Sequence, residues 1–356
     1  MNKDEMPPAF AQVSDSKNLS ELIRSNAPEY WAYMKRHADL RALKPYLGFE
    51  GAVAGDPHLG NFGPIPVMTS KGSREMRFVN IDFDDAGRAP FVLDFIRYAA
   101  AIKAQCKEMK TEALQESYLA GLAGKKLPAP KKVQDFLDMK VSDYDDLAAK
   151  YRAKHCLDQG FNFKPGEIER YSGKIKPSAI DQLFPGEQVL CLADRVEARG
   201  GSSDDIRIWV LVGGLLSRQR IVELKQYSKP GTGNYQEQPP VKEWLSEIRE
   251  AFWPGLTGAD YDLVTLEGGG LFWVREKRVS LIDVPYSSQK KHDVDFVIGL
   301  ATYDANLLGL AHGSQVQASG YTAAIRRDTA AFHDAIKGVE RAYLESAKEA
   351  FKEKGA

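Results

Sequence analysis

Gly55-Asp56-Pro57-His58-Leu59-Gly60-Asn61-Phe62-Gly63, followed by Asn80-Ile81-Asp82-Phe83-Asp84-Asp85, is the stretch on which the reading of this chain turns. The first run sets an Asp and an Asn five positions apart in a glycine-bounded turn. The second closes a strand-like run, Met76 to Ile81, with three carboxylates. Phosphoryl transfer needs parts of this kind. One carboxylate holds the attacking hydroxyl, while an amide oxygen and a second carboxylate hold the metal ions that neutralise the phosphates. Asp56, Asn61 and Asp82 are the candidates for these three tasks. Taken alone, the first run is an ordinary turn and the second an ordinary helix N-cap, so the signal lies in their conjunction.

A metallophosphoesterase also begins from Gly-Asp and His, but its metals need several further His and Asp ligands at strand ends. The chain has six His, and none falls in a second ligand-like cluster. The 356 residues are 43% apolar and 27% charged, enough for a sizeable core under a charged surface. A net charge of −1 lacks the basic footprint of a nucleic-acid binder. Cys106, Cys156 and Cys191 show no metal spacing and read as small apolar residues of a reducing compartment. The start lacks an apolar leader and no apolar run looks long enough for a bilayer, so a cytoplasmic protein is expected.

Around the two runs the pattern is first helical, from Asn18 to Leu43 with a break near Pro28. Thr69 to Ser73 reads as a hairpin turn between the loop and the acidic strand end. Helices are expected from Pro90 to about Lys107, over Thr111–Leu122, and over Val133–Lys154 with a break near Val141. Gly and Pro then become dense from Phe161 to Gly186. Beyond them lie three strand patterns (188–192, 206–212 and 219–225), a helix over Val241–Phe252, and two more strands flanking Gly268 to Gly270. Val294–Gly313 and Tyr321–Lys352 are helical.

Gly-Asp-x-His-x-x-Asn followed by Ile-Asp-Phe-x-Asp resembles the catalytic loop and metal-binding strand end of aminoglycoside-phosphotransferase-type kinases. In those proteins a further Asp, twelve positions on, caps a helix, and Asp94 stands twelve after Asp82. The longer string Gly-Asp-Pro-His-Leu-Gly-Asn-Phe-Gly with Asp-Phe-Asp-Asp is similar to the bacterial family called domain of unknown function 2252, itself kinase-like. Ala54 departs from the His that usually precedes Gly-Asp, and Pro90 stands where the phosphotransferases often carry Asp. The order hairpin, third strand, helix, hairpin is that of a kinase N-lobe, yet it follows the catalytic-loop candidate, which only 54 residues precede.

The expected fold is therefore α+β, a two-lobed protein-kinase-like domain in circularly permuted order. Residues 1–186 would form the helical part with the catalytic loop, 187–285 the β-rich lobe, and 286–356 the closing helices. Relocated termini are tolerable where they lie on a domain surface.

The resemblance implies ATP and Mg²⁺ as cofactors, with Asp56 as base or hydroxyl-orienting group and Asn61 and Asp82 as metal ligands. Lys225 is the candidate phosphate clamp, sharing a strand face with Ile221 and Glu223, and should lie opposite Asp82 although 143 positions separate them. Glu247, at the edge of the apolar face of Val241–Phe252, is the preferred partner for that lysine. Gly200, Gly201 and Ser203 stand where a phosphate loop is expected, although Asp204 and Asp205 beside them would repel a triphosphate. His58 reads as a structural hydrogen-bonder, and Asp85 as a cap for the helix after Pro90. The expected activity is phosphoryl transfer to a hydroxyl of a small molecule, because eleven residues between Asp82 and Asp94 leave no room for a peptide platform. Thr111 to Lys154 could wall a pocket over Asp56. A pseudokinase and an AMP transferase acting on protein are the alternatives.

Overall fold

Asn18 opens the first helix of the chain by accepting a bond from the Glu21 amide, and α1 (Leu19–Arg24) follows. In this computed structural model the described residues are 16, 18–36, 38–158, 160–196, 205–213, 219–255, 261–277, 279, 281–282 and 294–354. Ser25 and Asn26 interrupt the helix before α2 (Ala27–Arg36), with Pro28 in the first turn, where its missing N–H costs nothing. A 3-10 turn, Ala38–Leu43, leads into β1 (Glu50–Val53), and a second, Leu59–Asn61, leads into β2 (Phe62–Met68). β2 and β3 (Arg74–Asn80) form an antiparallel hairpin, closed by Thr69 and Ser73 as expected. β4 (Gly87–Pro90) returns to pair with β1, and α3 (Phe91–Gln105) starts directly from it.

α3 is buried from Phe91 to Ile102, so it is the central helix of the helical part. α4 (Thr111–Leu122) follows, then α5 (Lys131–Leu137) and α6 (Val141–His155). β5 (Cys156–Leu157) and β6 (Gly160–Phe161) make a small hairpin, β7 (Ile168–Arg170) an edge strand and α7 (Pro177–Asp181) a short helix. The strand patterns appear as β8 (Gln188–Arg195), β9 (Arg207–Gly213) and β10 (Arg220–Gln226), an antiparallel meander. α8 (Val241–Phe252) separates β10 from the hairpin of β11 (Tyr261–Leu266) and β12 (Gly270–Glu276). The six-stranded sheet runs β11-β12-β10-β9-β8-β7, taking in a strand upstream of residue 187. α9 (Val294–Gly313), α10 (Ala318–Arg327) and α11 (Thr329–Lys354) complete a mixed α+β architecture.

The sheet has two different faces. Ile208, Val210, Val222, Leu224 and Phe272 pack under α7 with Ile180 and Phe184. The opposite face carries Trp209, Leu211 and Ile221, covered by Tyr151 of α6 and Phe161 of β6. α6 also ties Arg74 of the hairpin through Asp145, and its Arg152 donates to the Gln219 carbonyl at 2.6 Å. Of the segment Thr111 to Lys154 expected to wall a pocket over Asp56, α4 packs against α9, and α6 braces the outside of the hairpin and the sheet instead. Its apolar side chains find cover there.

α9 is long and apolar enough to cross a bilayer, contrary to the expectation that no run reaches that length. It is a core helix. Gly121, Gly309 and Gly313 let α4 and α9 cross so closely that a Cβ on Gly309 would meet the Tyr118 carbonyl oxygen at 2.2 Å. All three cysteines are free thiols, two of them buried.

Candidate active site

The β2–β3 hairpin places the two signature runs side by side, one entering it and one leaving it. Phe62 pairs with Asn80, and the Ile81 amide donates to the Asn61 carbonyl at 2.8 Å. Gly55 allows the turn with φ +79°, and a Cβ there would sit 1.9 Å from the Asp85 carbonyl oxygen. Only glycine lets the loop and the acidic strand end approach this closely.

The loop is fixed from beneath by α3. Asp94, wholly buried, accepts from the amides of Ala54 at 3.0 Å and Gly55 at 2.9 Å, and His312 of α9 stands 3.2 Å away. Asp94 was expected to cap a helix, but it ties down the loop, because the start of α3 faces the β1–β4 corner. Trp31 Nε1 donates to the Gly55 carbonyl at 2.7 Å. One turn beyond Asp94, the buried Arg97 donates from Nε at 3.1 Å and from an Nη at 2.7 Å to Asp56 Oδ1. The same guanidinium donates to the Ile23 carbonyl at 2.5 Å and to the Tyr343 hydroxyl at 3.4 Å.

Burial alone would raise the Asp56 pKa, but Arg97 and then His58 outweigh it and hold the carboxyl down at about 2. His58 Nδ1 accepts from the Gly60 amide at 3.0 Å, so the ring proton sits on Nε2, 3.5 Å from Asp56 Oδ2. Burial lowers the His58 pKa despite the nearby Asp56 charge. Asn61 Nδ2 donates to the Asp56 carbonyl at 2.9 Å, which leaves Oδ1 as its acceptor.

The strand end meets the sheet. Lys225 on β10 pairs with the Asp84 carboxylate, and Asp205 lies 3.7 Å from the same ammonium. Burial works against the lysine's charge, but Asp84 and then Asp82 raise its pKa. Arg275 on β12 stands 3.3 Å from Asp82 Oδ1 and donates from Nε to Glu223 at 2.8 Å. Burial and the Asp84 charge push the Asp82 carboxyl upward, against Arg275 and Lys225. Asp85 Oδ1 accepts from the Gly231 amide at 2.9 Å. Burial, followed by the Asp56 charge, pushes Asp85 up to about 7.

Two expectations fail here. Asp85 does not cap α3, whose N-cap is Pro90 with no side-chain bond, because Asp85 turns toward the chain that follows β10. Glu247 does not meet Lys225. It bonds Arg88 of β4 at the surface, at 2.6 Å from Nε, because α8 packs its Trp244 and Ile248 into the main core. α6 covers the Trp209 and Ile221 part of that sheet face, α8 reaches it through Trp244 beside Trp273, and the acids at the lysine are Asp84 and Asp205. Gly200, Gly201 and Ser203 lie outside the described residues.

The sequence assigned no role to Arg97 and Glu223, and Asp84 entered only as one of three carboxylates at the strand end. Arg97 was detectable as a charge one turn from Asp94 on an otherwise apolar helix. Glu223 was detectable as an acid beside Lys225 on a buried strand face.

Residues 33–123 match the family model described as an uncharacterized protein conserved in bacteria (DUF2252). The match spans the loop, the hairpin and the α3 anchors, and ends before the six-stranded sheet. No curated protein and no solved structure matches the chain.

Proposed function

We propose that the chain is an ATP- and Mg²⁺-dependent phosphotransferase of two-lobed, kinase-like fold in permuted order, acting on a hydroxyl of a small molecule. The observation that carries this reading is the meeting of Lys225 with Asp84 beside the Asp56–Asn61 loop. A strand lysine, an acidic strand end and an Asp/Asn loop are the groups that must surround one triphosphate.

Among the described residues, no three of His, Cys, Asp or Glu gather as a ready-made metal cage. Magnesium in phosphoryl-transfer sites does not need one, since it uses one or two carboxylates together with substrate phosphates. Asp82 and the Asn61 amide oxygen fit this role by their donor chemistry, a carboxylate and an amide oxygen whose own Nδ2 is taken up by the Asp56 carbonyl. When bound there, the ion would neutralise charge on the transferring phosphoryl group.

Asp56 stays ionised and is a weak proton acceptor, so it suits orienting the hydroxyl rather than deprotonating it early. Oδ1 is held by Arg97, and Oδ2, which has only the longer 3.5 Å contact with His58 Nε2, is the oxygen that would receive the substrate hydroxyl. The hydroxyl oxygen attacks the γ-phosphorus, the bond to the bridging oxygen breaks, and ADP leaves. The hydroxyl proton departs late in the loose transition state. A small acceptor is favoured because β4 pairs with β1 directly after the strand end, leaving no extended segment to present a peptide.

The test combines calorimetric titration of Mg·ATP with transfer from γ-labelled and α-labelled ATP into a metabolite extract. We expect Asp56→Asn to lower transfer about 10³-fold with ATP affinity kept, and Lys225→Met to weaken ATP binding about tenfold or more. Absence of ATP binding at millimolar nucleotide overturns the proposal. Label from the α-position points to AMP transfer. Binding without transfer points to a pseudokinase, a reading favoured by the Arg97 tether on Asp56.

A further inference from the structure

Two neighbouring rungs of the sheet each send one cation to the acidic strand end. In the first, Lys225 lies between Arg207 on β9 and Trp273 on β12, and reaches Asp84. In the second, Glu223 lies between Trp209 and Arg275, and Arg275 reaches Asp82. Arg275 and the partner position of Lys225 are two residues apart on β12, about 7 Å along the strand. Long side chains from both rungs can therefore address one polyphosphate.

Glu223 is wholly buried and still charged. Oε1 accepts from Trp209 Nε1 at 3.2 Å and Lys277 Nζ at 3.3 Å, and Oε2 accepts from Arg275 Nε at 2.8 Å. Arg207 adds its charge at 3.9 Å. These cations hold the carboxyl well below its usual range although burial pushes it upward. A carboxylate so enclosed has one orientation, and the guanidinium bonded to it inherits that orientation. Arg275 thus has its inner edge fixed on Glu223 and its outer edge on Asp82, whose side chain is 32% exposed.

We infer that Arg275, aimed by Glu223, is a second anion-binding cation of the nucleotide site, directed at phosphate beside Lys225. The inference rests on the nucleotide-binding reading above. A phosphate offers a guanidinium fork the same planar pair of acceptors as a carboxylate, with more charge. Asp82 and Asp84 hold the two cations in place, and an entering polyphosphate competes with both acids for them.

The experiment is calorimetric titration of wild type, Arg275→Gln, Arg275→Lys and Glu223→Gln with Mg·ATP, Mg·ADP and adenosine, with thermal midpoints recorded for each. Arg275→Gln is expected to weaken ATP and ADP about tenfold and leave adenosine unchanged. Arg275→Lys keeps the charge but not the fork, and is expected to weaken ATP about threefold. Glu223→Gln should reproduce the phosphate-selective loss, since Arg275 is then free to wander. Unchanged ATP affinity in Arg275→Gln overturns the inference while leaving the nucleotide site standing, and so does an equal loss for adenosine. Should Arg275→Gln fail to fold, Arg275→Lys decides in the same way: unchanged ATP affinity overturns it. A wild type that binds no nucleotide overturns both readings.

Discussion

The two ends of the β2–β3 hairpin hold their carboxylates in opposite ways. At the entering end, Asp56 is gripped by Arg97 from α3, the same helix whose Asp94 bonds the loop amides, so anchor and anchored group belong to one packed unit. At the leaving end, Asp82 and Asp84 are met by Arg275 and Lys225, which arrive from the six-stranded sheet more than a hundred residues later. The first arrangement fixes a geometry. The second joins two parts of the molecule through charges that a ligand of like sign can displace. The pKa directions follow the same division: Asp56 is held down, while Asp82 and Asp85 are pushed up.

Removing the fixed anchor should have the largest effect on stability. Arg97→Met leaves the Asp56 carboxylate, only 14% exposed, without its cation, and we expect a loss of about 3–4 kcal/mol, measured by urea unfolding at neutral pH. A loss below about 1 kcal/mol would mean that the loop is not held by this pair, and the contrast between the two ends would collapse.

pH separates the ends next. Asp56 has a folded pKa of about 2, below the ordinary aspartate value of 3.8, so its contribution is present above about pH 4 and fades as pH falls through 2. Asp85 has the opposite sign. Its folded pKa of about 7 lies above 3.8, so the folded state holds the proton more tightly, and stability declines as pH rises from about 4 to 7. Asp85→Asn keeps an acceptor for the Gly231 amide and removes the charge. It should stabilise the protein by about 1–2 kcal/mol at pH 7, allowing for partial exposure, and by little at pH 4. Parallel unfolding curves at the two pH values for wild type and variant would refute that assignment.

The smallest effect belongs to the residue that the sequence placed in the site and the structure places outside it. Glu247→Gln breaks only an exposed pair with Arg88 and should change stability by less than about 0.5 kcal/mol, with ATP affinity untouched. A tenfold loss of ATP affinity would return Glu247 to the lysine.

What was legible follows from what is local. Helix spans such as Thr111–Leu122 and Val241–Phe252 coincide with the apolar periodicity, and the Thr69–Ser73 turn with its residue types. The proximity of Asp56, Asn61 and Asp82 follows from a single hairpin, so spacing alone carried it. Glu247 and Asp85 were misplaced because their partners depend on tertiary packing. An amphipathic helix after a third strand shows that it buries a face, but not against which layer. An acid before a helix can cap it or turn away, and only the path of the chain after β10 decides. The α4–α9 crossing made a buried helix resemble a membrane span, since close glycine packing and lipid both favour an apolar surface.

The five tryptophans are all buried, and four of them border the junction. Trp31 bonds the loop at Gly55, Trp253 bonds the hairpin at the Asn80 carbonyl, Trp209 bonds Glu223, and Trp273 is the cross-strand partner of Lys225. Trp244 stands 6.1 Å from Trp273, ring to ring. Indole emission shifts with the local electric field, and the charges that would rearrange when Lys225 and Arg275 exchange partners lie beside these rings. The chain therefore carries an unlabelled optical readout of its own junction, with emitters on both sides of it and no large surface indole to mask the signal.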